Sequence, residues 1–128
     1  MSKLVIVTGA SRGLGLAICH QLLQAGYSVL ALARTQSEEL TQLQQQGLHF
    51  YAADLSELDK IPTLCSELTK QYGRPYALIN NAAVGYDGVL ATMHNTEINS
   101  LINLNIQAPI LLSKYLLRPM LLNQNGRI

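Results

Sequence analysis

A glycine-rich stretch at residues 8–15, T-G-A-S-R-G-L-G, has the spacing of a phosphate-binding turn. It follows an apolar run at residues 4–7 and precedes a helical pattern of apolar side chains. A strand, a turn and a helix in this order present free backbone N–H groups and a helix dipole to a phosphate. We assign the sharp turn to Gly9, close approach of a pyrophosphate to Gly13, and close packing of helix on sheet to Gly15. The stretch predicts a dinucleotide site; a purely structural turn is the alternative.

The charges beside this stretch indicate which dinucleotide it binds. NAD-specific sites carry an acidic residue about twenty positions after the glycine loop, where its carboxylate accepts hydrogen bonds from the ribose 2′-hydroxyl. Residues 30–36 contain no acidic residue, and Arg34 lies at the end of the second apolar run. Arg12 adds a second guanidinium, and guanidinium groups hold a 2′-phosphate that a carboxylate would repel. The charges predict NADP(H); two merely solvated arginines are the alternative.

A local helix defect is predicted at Asn105. Pro109 lies four residues later and has no N–H group, so in an α-helix the backbone carbonyl of Asn105 loses its usual hydrogen-bond partner. A carbonyl freed in this way can hold a water molecule. Asn103 is the competing candidate, and an inert kinked helix is the remaining alternative.

Strand and helix patterns alternate along the chain and predict how these residues are positioned. Four apolar runs have the length of buried parallel strands: residues 3–7, 29–33, 48–53 and 75–79. Three helices are predicted between them: residues 13–25, a glutamine-rich segment from Ser37 to Gly47, and a segment from Pro62 to Gly73. The alternation predicts an α/β fold with a doubly wound parallel sheet, the three-layer α/β/α Rossmann fold. Residues 126–128 resemble the start of a fifth strand, so we expect the domain to be truncated there.

The last helical stretch is apolar on more than one side. It follows a loop at residues 84–94 and runs to Leu122, with leucines in excess of the single stripe that a helix covering a sheet requires. The additional apolar face predicts a subunit interface over residues 106–122. Packing of all these side chains within one chain is the alternative.

Composition limits the classes of function. The chain has 128 residues, 48% of them hydrophobic and 13% charged, which indicates one globular domain at most. A net charge of +1 offers no electrostatic footprint for nucleic acid or anionic lipid, and no apolar run has membrane-spanning length. Cys19 and Cys65 lack metal or redox spacing and are expected to be buried free thiols, and no metal site is predicted. We expect a cytoplasmic protein that binds small molecules or other proteins.

The T-G-x-x-x-G-x-G pattern of residues 8–15 resembles the short-chain dehydrogenase/reductase family, of the type that includes 3-oxoacyl-[acyl-carrier-protein] reductases. The N-N-A-A sequence at residues 80–83 is similar to that family's N-N-A-G motif, with Ala83 in place of glycine. The resemblance implies NADP(H) as cofactor and helix-paired homodimers or homotetramers. It implies a set of cofactor-binding residues: Gly9, Ser11, Arg12, Gly13, Leu14, Gly15, Arg34, Asp54, Leu55, Asn81, Ala82 and Ala83.

The resemblance also implies individual roles. Asp54 accepts a hydrogen bond from the adenine amino group, although a carboxylate that only starts the following turn is the alternative. Asn80 bonds to backbone across strands, whereas Asn81 lies beside the adenosine ribose. Asn105 matches the family's active-site asparagine, whose bound water belongs to a proton relay toward a catalytic lysine.

The family's catalytic tyrosine and lysine have no counterpart in these residues. A tyrosine that acts as general acid needs an adjacent cation, which a lysine one helical turn later supplies. No lysine of this sequence has a tyrosine four positions before it. We therefore expect the cofactor-binding portion of an NADPH-dependent oxidoreductase that acts on a carbonyl or 3-oxoacyl thioester and is inactive alone. A general alcohol or sugar dehydrogenase and a non-catalytic NADP-binding module are the alternatives.

Overall fold

The computed structural model describes residues 2–128 and contains the predicted alternation of strands and helices. The strands are β1 (Leu4–Thr8), β2 (Ser28–Ala33), β3 (His49–Ala52) and β4 (Ala77–Ile79). The helices are α1 (Gly13–Gln24), α2 (Glu38–Gln44), α3 (Ile61–Tyr72), α4 (Asn95–Ile102) and α5 (Ala108–Leu122). Short 3₁₀ turns cover Leu58–Lys60 and Leu90–Thr92, and a π-helical turn covers Asn103–Gln107.

The four strands form one parallel sheet in the order β3-β2-β1-β4. Val5 of β1 pairs with Val29 on one side and with Ala77 on the other, and all five residues of β1 are buried. The strand order therefore reverses at β1. In open α/β sheets a crevice forms at such a reversal, outside the carboxyl ends of the strands.

Helices cover both faces of the sheet, which confirms the predicted three-layer α/β/α architecture. On one face α3 and α5 pack their apolar side chains onto β1 and β2, with Leu68 and Leu116 at the centre of the cluster. On the other face α1 and α2 bury Cys19 and Leu40 against the same strands. Burial raises the pKa of Cys19 to about 11 and that of Cys65 to about 12, so both thiols stay protonated near neutral pH.

Residues that were predicted to begin or end helices lie at helix ends in the structure. The Ser37 hydroxyl accepts a hydrogen bond from the backbone N–H of Leu40, 3.3 Å away, and so caps α2. Pro62 lies in the first turn of α3, where its missing N–H group has no intrahelical partner to lose. Gly73 follows the last residue of α3.

The predicted helix defect is a π-helical turn between α4 and α5. The N–H group of Ala108 bonds to the carbonyl of Asn103, five residues earlier, instead of the usual four. Pro109 explains the change, because it cannot donate to the carbonyl of Asn105 that an α-helix would place opposite it. The two helices therefore continue one another around a locally widened turn.

Arg127 forms a single parallel bridge with Ala77 of β4, at the edge where the sequence predicts a fifth strand. Arg127 donates its backbone N–H to the carbonyl of Tyr76, 2.9 Å away, and accepts from the N–H of Leu78 at 3.0 Å. Among residues 2–128 no helix combines the length and the apolar character that crossing a membrane requires.

Candidate functional site

A cavity of about 400 Å³ opens at the carboxyl ends of the strands, within the usual size of a small-molecule pocket. The loops that follow all four strands contribute to its walls. Most of the predicted cofactor-binding residues line it: Gly9, Ser11, Arg12, Arg34, Asp54, Leu55, Asn81, Ala82 and Ala83. Sequence reasoning missed other lining residues, namely Ser56, Val84, Tyr86, Ser100 and Leu104.

The glycine loop is built by two close backbone approaches. Gly9 has a φ of 62°, and a Cβ at this position would lie 2.8 Å from the Cα of Ala82. A Cβ on Gly15 would lie 2.2 Å from the carbonyl oxygen of Gly9, so α1 could not start as close to the sheet with a larger residue. Both predicted roles are confirmed.

The start of α1 faces outward. Gly13 has a φ of 56° and open space where a Cβ would stand, and the Leu14 side chain is 69% exposed. No side-chain atom of Arg12, the N-cap residue, caps α1. The first N–H groups of a helix need acceptors from outside the helix, and a phosphate is a suitable one. Gly13, Leu14 and Gly15 lie at the start of α1 and are not among the residues that line the cavity.

Thr8 joins the glycine loop to the loop after β4. Its side chain is buried, with 1% exposure, and its hydroxyl donates to the carbonyl of Ile79 at 3.3 Å. The same oxygen accepts from the backbone N–H groups of Asn81 and Ala82, both at 2.9 Å. One donated and two accepted bonds use the full hydrogen-bonding capacity of a hydroxyl.

Asn81 makes the cross-strand bonds that were predicted for Asn80. Its side-chain Nδ2 donates to the carbonyl of Thr8 at 3.2 Å and to that of Gly9 at 3.1 Å. The prediction for Asn80 is wrong because the Asn81 side chain is the one directed at the end of β1, while Asn80 is exposed. Asn81 also lines the cavity, so a contact with an adenosine ribose stays a prediction.

The three charged residues predicted for the site line the same cavity. Arg12 and Arg34 are both exposed; Arg12 is the N-cap residue of α1, in the loop after β1, and Arg34 directly follows β2. Asp54 accepts from the Ser56 hydroxyl at 2.6 Å and from its backbone N–H at 3.0 Å. The Ser56 hydroxyl, with smaller contributions from the Ser56 N–H and the charge of Arg34, holds the pKa of Asp54 below its usual value.

These bonds define what Asp54 can do. Its carboxylate starts the turn that follows β3, which was one of the two predicted roles. Oδ1 is the oxygen engaged by Ser56, and the side chain as a whole is exposed in the cavity. A carboxylate that is ionised near neutral pH can also accept from an amino group, so its adenine contact stays a prediction.

Asn105, in the π-helical turn, does not line the cavity itself but holds the loop after β4. Its Oδ1 accepts from the backbone N–H of Val84 at 2.8 Å, and its Nδ2 donates to the carbonyl of the same residue at 2.7 Å. Asn103, the competing candidate, instead accepts from the side chain of Gln107 at 3.0 Å. Asn105 is therefore the asparagine that is connected to the cavity, through Val84.

The donor set fits a phosphorylated dinucleotide. Two guanidinium groups and a carboxylate after the end of β3 line one cavity, and the start of α1 lies next to Arg12, outside that lining. The close approaches at Gly9 and Gly15 bring backbone of the glycine loop against the loop after β4. Within residues 2–128 no group of three or more His, Cys, Asp or Glu side chains is arranged to hold a metal ion.

Comparisons with known proteins show which family this chain is similar to. A family model described as short chain dehydrogenase matches residues 3–128. The 3-oxoacyl-[acyl-carrier-protein] reductase FabG of Vibrio harveyi is 30% identical over 128 residues, covering 98% of this chain and 52% of the relative. Carbonyl reductase family member 4 of Xenopus tropicalis is 30% identical over 129 residues, covering 100% of this chain and 55% of the relative.

A solved structure of a metagenomic short-chain oxidoreductase in complex with NADP has a similar fold. Its TM-score is 0.89 and its identity is 35%, and the alignment covers 98% of this chain and 60% of that one. The chain thus spans about half the length of the curated relatives that it matches.

Proposed function

Because the chain belongs to the short chain dehydrogenase family, we propose that residues 1–128 form the nucleotide-binding domain of an NADP(H)-dependent oxidoreductase. The observation that carries the proposal is the convergence of Arg12 and Arg34 on one cavity, in a chain with no acidic residue between positions 30 and 36. A carboxylate at the end of β2 would repel a 2′-phosphate, whereas guanidinium groups bind it.

The residues in and around the cavity each have a role in this proposal. NADPH bound there would supply the hydride for reduction of a carbonyl group. The N–H groups at the start of α1 bind the pyrophosphate, and Arg12 and Arg34 bind the 2′-phosphate. Asp54 and Leu55 contact the adenine, and the backbone of residues 81–83 lies against the ribose. Asn105 keeps the loop after β4 in place through Val84.

The substrate in this proposal is a small carbonyl compound, such as a 3-oxoacyl thioester. Support comes from two relatives, a 3-oxoacyl-[acyl-carrier-protein] reductase and a carbonyl reductase. An alcohol or sugar dehydrogenase of the same fold is the alternative within enzymes. We also propose a cytoplasmic location, because two buried free thiols suit a reducing compartment.

Replacing Arg34 with Asp tests the cofactor assignment. We expect the dissociation constant for NADPH to rise about 10- to 100-fold, because a charge-assisted hydrogen bond is lost and a repulsive charge is added. Binding of NADH should be retained or improved, since a carboxylate there can accept from the ribose 2′-hydroxyl. Fluorescence titration of the purified protein with both nucleotides measures the two constants.

The control for charge alone is Lys70→Glu on α3, which makes the same change in net charge at an exposed position outside the cavity. It should leave the ratio of the two dissociation constants unchanged. An unaltered ratio in Arg34→Asp would contradict the NADP(H) assignment.

A non-catalytic NADP-binding module is the second candidate. The observation in its favour is the absence of a tyrosine four positions before any lysine in the sequence. Under the first proposal the family's tyrosine and lysine lie outside residues 1–128. An assay of the full-length protein that contains residues 1–128, with a panel of carbonyl acceptors, distinguishes the two. An enzyme oxidises NADPH in this assay, whereas a module binds NADPH without consuming it.

The long helix is proposed to form a homodimer or homotetramer interface. A row of exposed apolar side chains runs along α4, the π-helical turn and α5: Ile98, Ile102, Ile106, Ile110, Leu117 and Leu121. Within residues 106–122, Ile110 is 62% exposed and Leu121 is 67% exposed. Monomeric proteins rarely expose so continuous an apolar surface, and family resemblance supports a second copy as the partner.

Replacing Ile110 with Glu is expected to dissociate this assembly. Burying one isoleucine contributes about 1.5–3 kcal/mol, and a twofold interface contains the residue twice. We therefore expect the dimer dissociation constant to rise about 100-fold or more, which sedimentation velocity across a concentration series measures. Val89→Glu is the control, because Val89 is 68% exposed but lies outside the row. A monomeric wild-type protein would contradict the proposed interface.

A further inference from the structure

Ser37 links the two loops that carry the arginines. Its hydroxyl donates to the backbone carbonyl of Ser11 at 2.7 Å while it accepts from the N–H of Leu40 at 3.3 Å. Ser11 immediately precedes Arg12, and Ser37 lies three residues after Arg34. A single half-buried hydroxyl therefore connects the glycine loop to the segment between β2 and α2.

Capping of α2 requires only the accepted bond. An N-cap side chain satisfies its helix by accepting from an N–H group, and many N-cap residues do no more than this. The donated bond to Ser11 spans 26 residues and contributes nothing to the helix itself. The donated bond instead affects the distance between the two loops. Without it, the backbone bond from the Ala10 N–H to the Leu32 carbonyl, at 3.3 Å, would set that distance.

The spacing of the loops matters because the guanidinium groups extend from them. Arg12 and Arg34 are exposed and line the same cavity, so their side chains are flexible and their relative placement depends on the backbones beneath them. Two cations converge on one phosphate only when their backbones are held in register. Positioning before binding also lowers the ordering cost when the ligand arrives.

We propose that Ser37 is a positioning residue for nucleotide selectivity, which holds Arg12 and Arg34 at the spacing that a 2′-phosphate requires. The inference rests on the proposed NADP(H) function and adds to it the residue that determines how strongly the site prefers the phosphorylated dinucleotide. Ser37 acts through the Ser11 carbonyl and does not itself contact the cofactor. A role in capping alone would change stability and leave the preference unchanged.

The test is Ser37→Ala, with dissociation constants for NADPH and NADH measured on the same purified protein. We expect the NADPH constant to rise about fivefold and the NADH constant to change less than about twofold. Loss of one hydrogen bond of ordinary strength changes the spacing of the two arginines, which NADPH contacts through its 2′-phosphate and NADH does not. Ser37→Thr keeps a hydroxyl and should restore the preference.

The matched control is Thr41→Val on the same helix. The Thr41 hydroxyl donates to the Ser37 carbonyl at 3.1 Å and accepts from the exposed side chain of Gln36 at 3.1 Å. Neither bond reaches the glycine loop, so removal of this hydroxyl should leave the NADPH to NADH ratio unchanged. Retained NADH binding shows that each variant is folded. Should Ser37→Ala fail to fold, Ser37→Gly serves in its place, since glycine is a tolerated N-cap residue that lacks the hydroxyl.

The outcomes separate the two proposals. The positioning role alone is overturned if the wild-type protein prefers NADPH and the Ser37 variants keep the same ratio of NADPH to NADH dissociation constants. An equal loss of affinity for both nucleotides is one such result. A wild-type protein with no preference for NADPH overturns the proposed cofactor, and the positioning role with it.

Discussion

A Gly15→Ala variant is expected to lose about 3 kcal/mol or more of its free energy of unfolding and to bind NADPH too weakly to measure. The added Cβ would lie 2.2 Å from the carbonyl oxygen of Gly9 and 2.9 Å from its carbonyl carbon. Both obstacles are backbone, so no side-chain rotation relieves them, and the loss exceeds the usual cost of an extra methyl group. The first turn of α1 must move away from the end of β1.

A third close approach, to a side chain, explains the effect on binding. The same Cβ would lie 2.6 Å from Nδ2 of Asn81, the atom that bonds to the carbonyls of Thr8 and Gly9. Displacing α1 therefore disturbs the glycine loop and the loop after β4 together, and both line the cavity. Urea denaturation measures the stability, and fluorescence titration with NADPH measures the binding.

Gly85→Ala is the matched control for Gly15→Ala. A Cβ at Gly85 meets no atom within 4 Å, and its backbone does not require a positive φ. We expect stability to remain the same or to increase by about 0.4–1 kcal/mol, because alanine restricts the unfolded chain. Equal urea midpoints for the two variants would show that α1 is not held as close to the sheet as the coordinates indicate.

Local patterns in the sequence are sufficient to predict the elements and most of the cavity. Buried parallel strands appear as short apolar runs, and each of the four predicted runs overlaps a strand of the sheet, with ends that differ by one or two residues. Ser37, Pro62 and Gly73 predict helix ends because capping depends on residues within one turn. The carboxyl ends of parallel strands share one edge, so residues after different strands were expected to meet there, as they do.

Side-chain partners between distant segments could not be predicted in this way. Asn80 and Asn81 are adjacent, and which of them faces β1 depends on the register of β1 with β4, where Val7 pairs with Ile79. The bond from Ser37 to Ser11 likewise depends on how two loops meet in space. Pro109 indicated that the α-helix is interrupted, but not that the chain continues through a π-helical turn.

The missed cavity residues have the same explanation. Tyr86 lies in the loop between β4 and α4, and Ser100 lies on α4, whose placement over the cavity follows from tertiary packing. Their sequence neighbours carry no periodic signal that separates a cavity wall from an exposed surface. Asn105, which the family resemblance identified from the sequence, is connected to this part of the cavity by its contact with Val84. That contact is visible only in the structure.

Replacing Thr8 with Val is expected to lower the free energy of unfolding by about 2–4 kcal/mol, although the two side chains have nearly the same shape. The Thr8 oxygen accepts from the N–H groups of Asn81 and Ala82. A methyl group leaves the Ala82 N–H without this partner and leaves the Asn81 N–H with only its bond to the Ile79 carbonyl, at 3.1 Å. A donor left unsatisfied in a buried or half-buried place costs about 1–3 kcal/mol. Urea denaturation, compared with wild type at the same pH, measures the difference.

Thr8→Ser is the control that separates hydrogen bonding from packing. Serine keeps the oxygen that serves both N–H groups and loses only the methyl group, so it should retain more stability than Thr8→Val does, even though valine fills the space better. Because residues 81–83 line the cavity, NADPH affinity should fall in Thr8→Val and be retained in Thr8→Ser. The reverse order of stability would mean that Thr8 acts through its methyl group and that another contact holds the loop after β4.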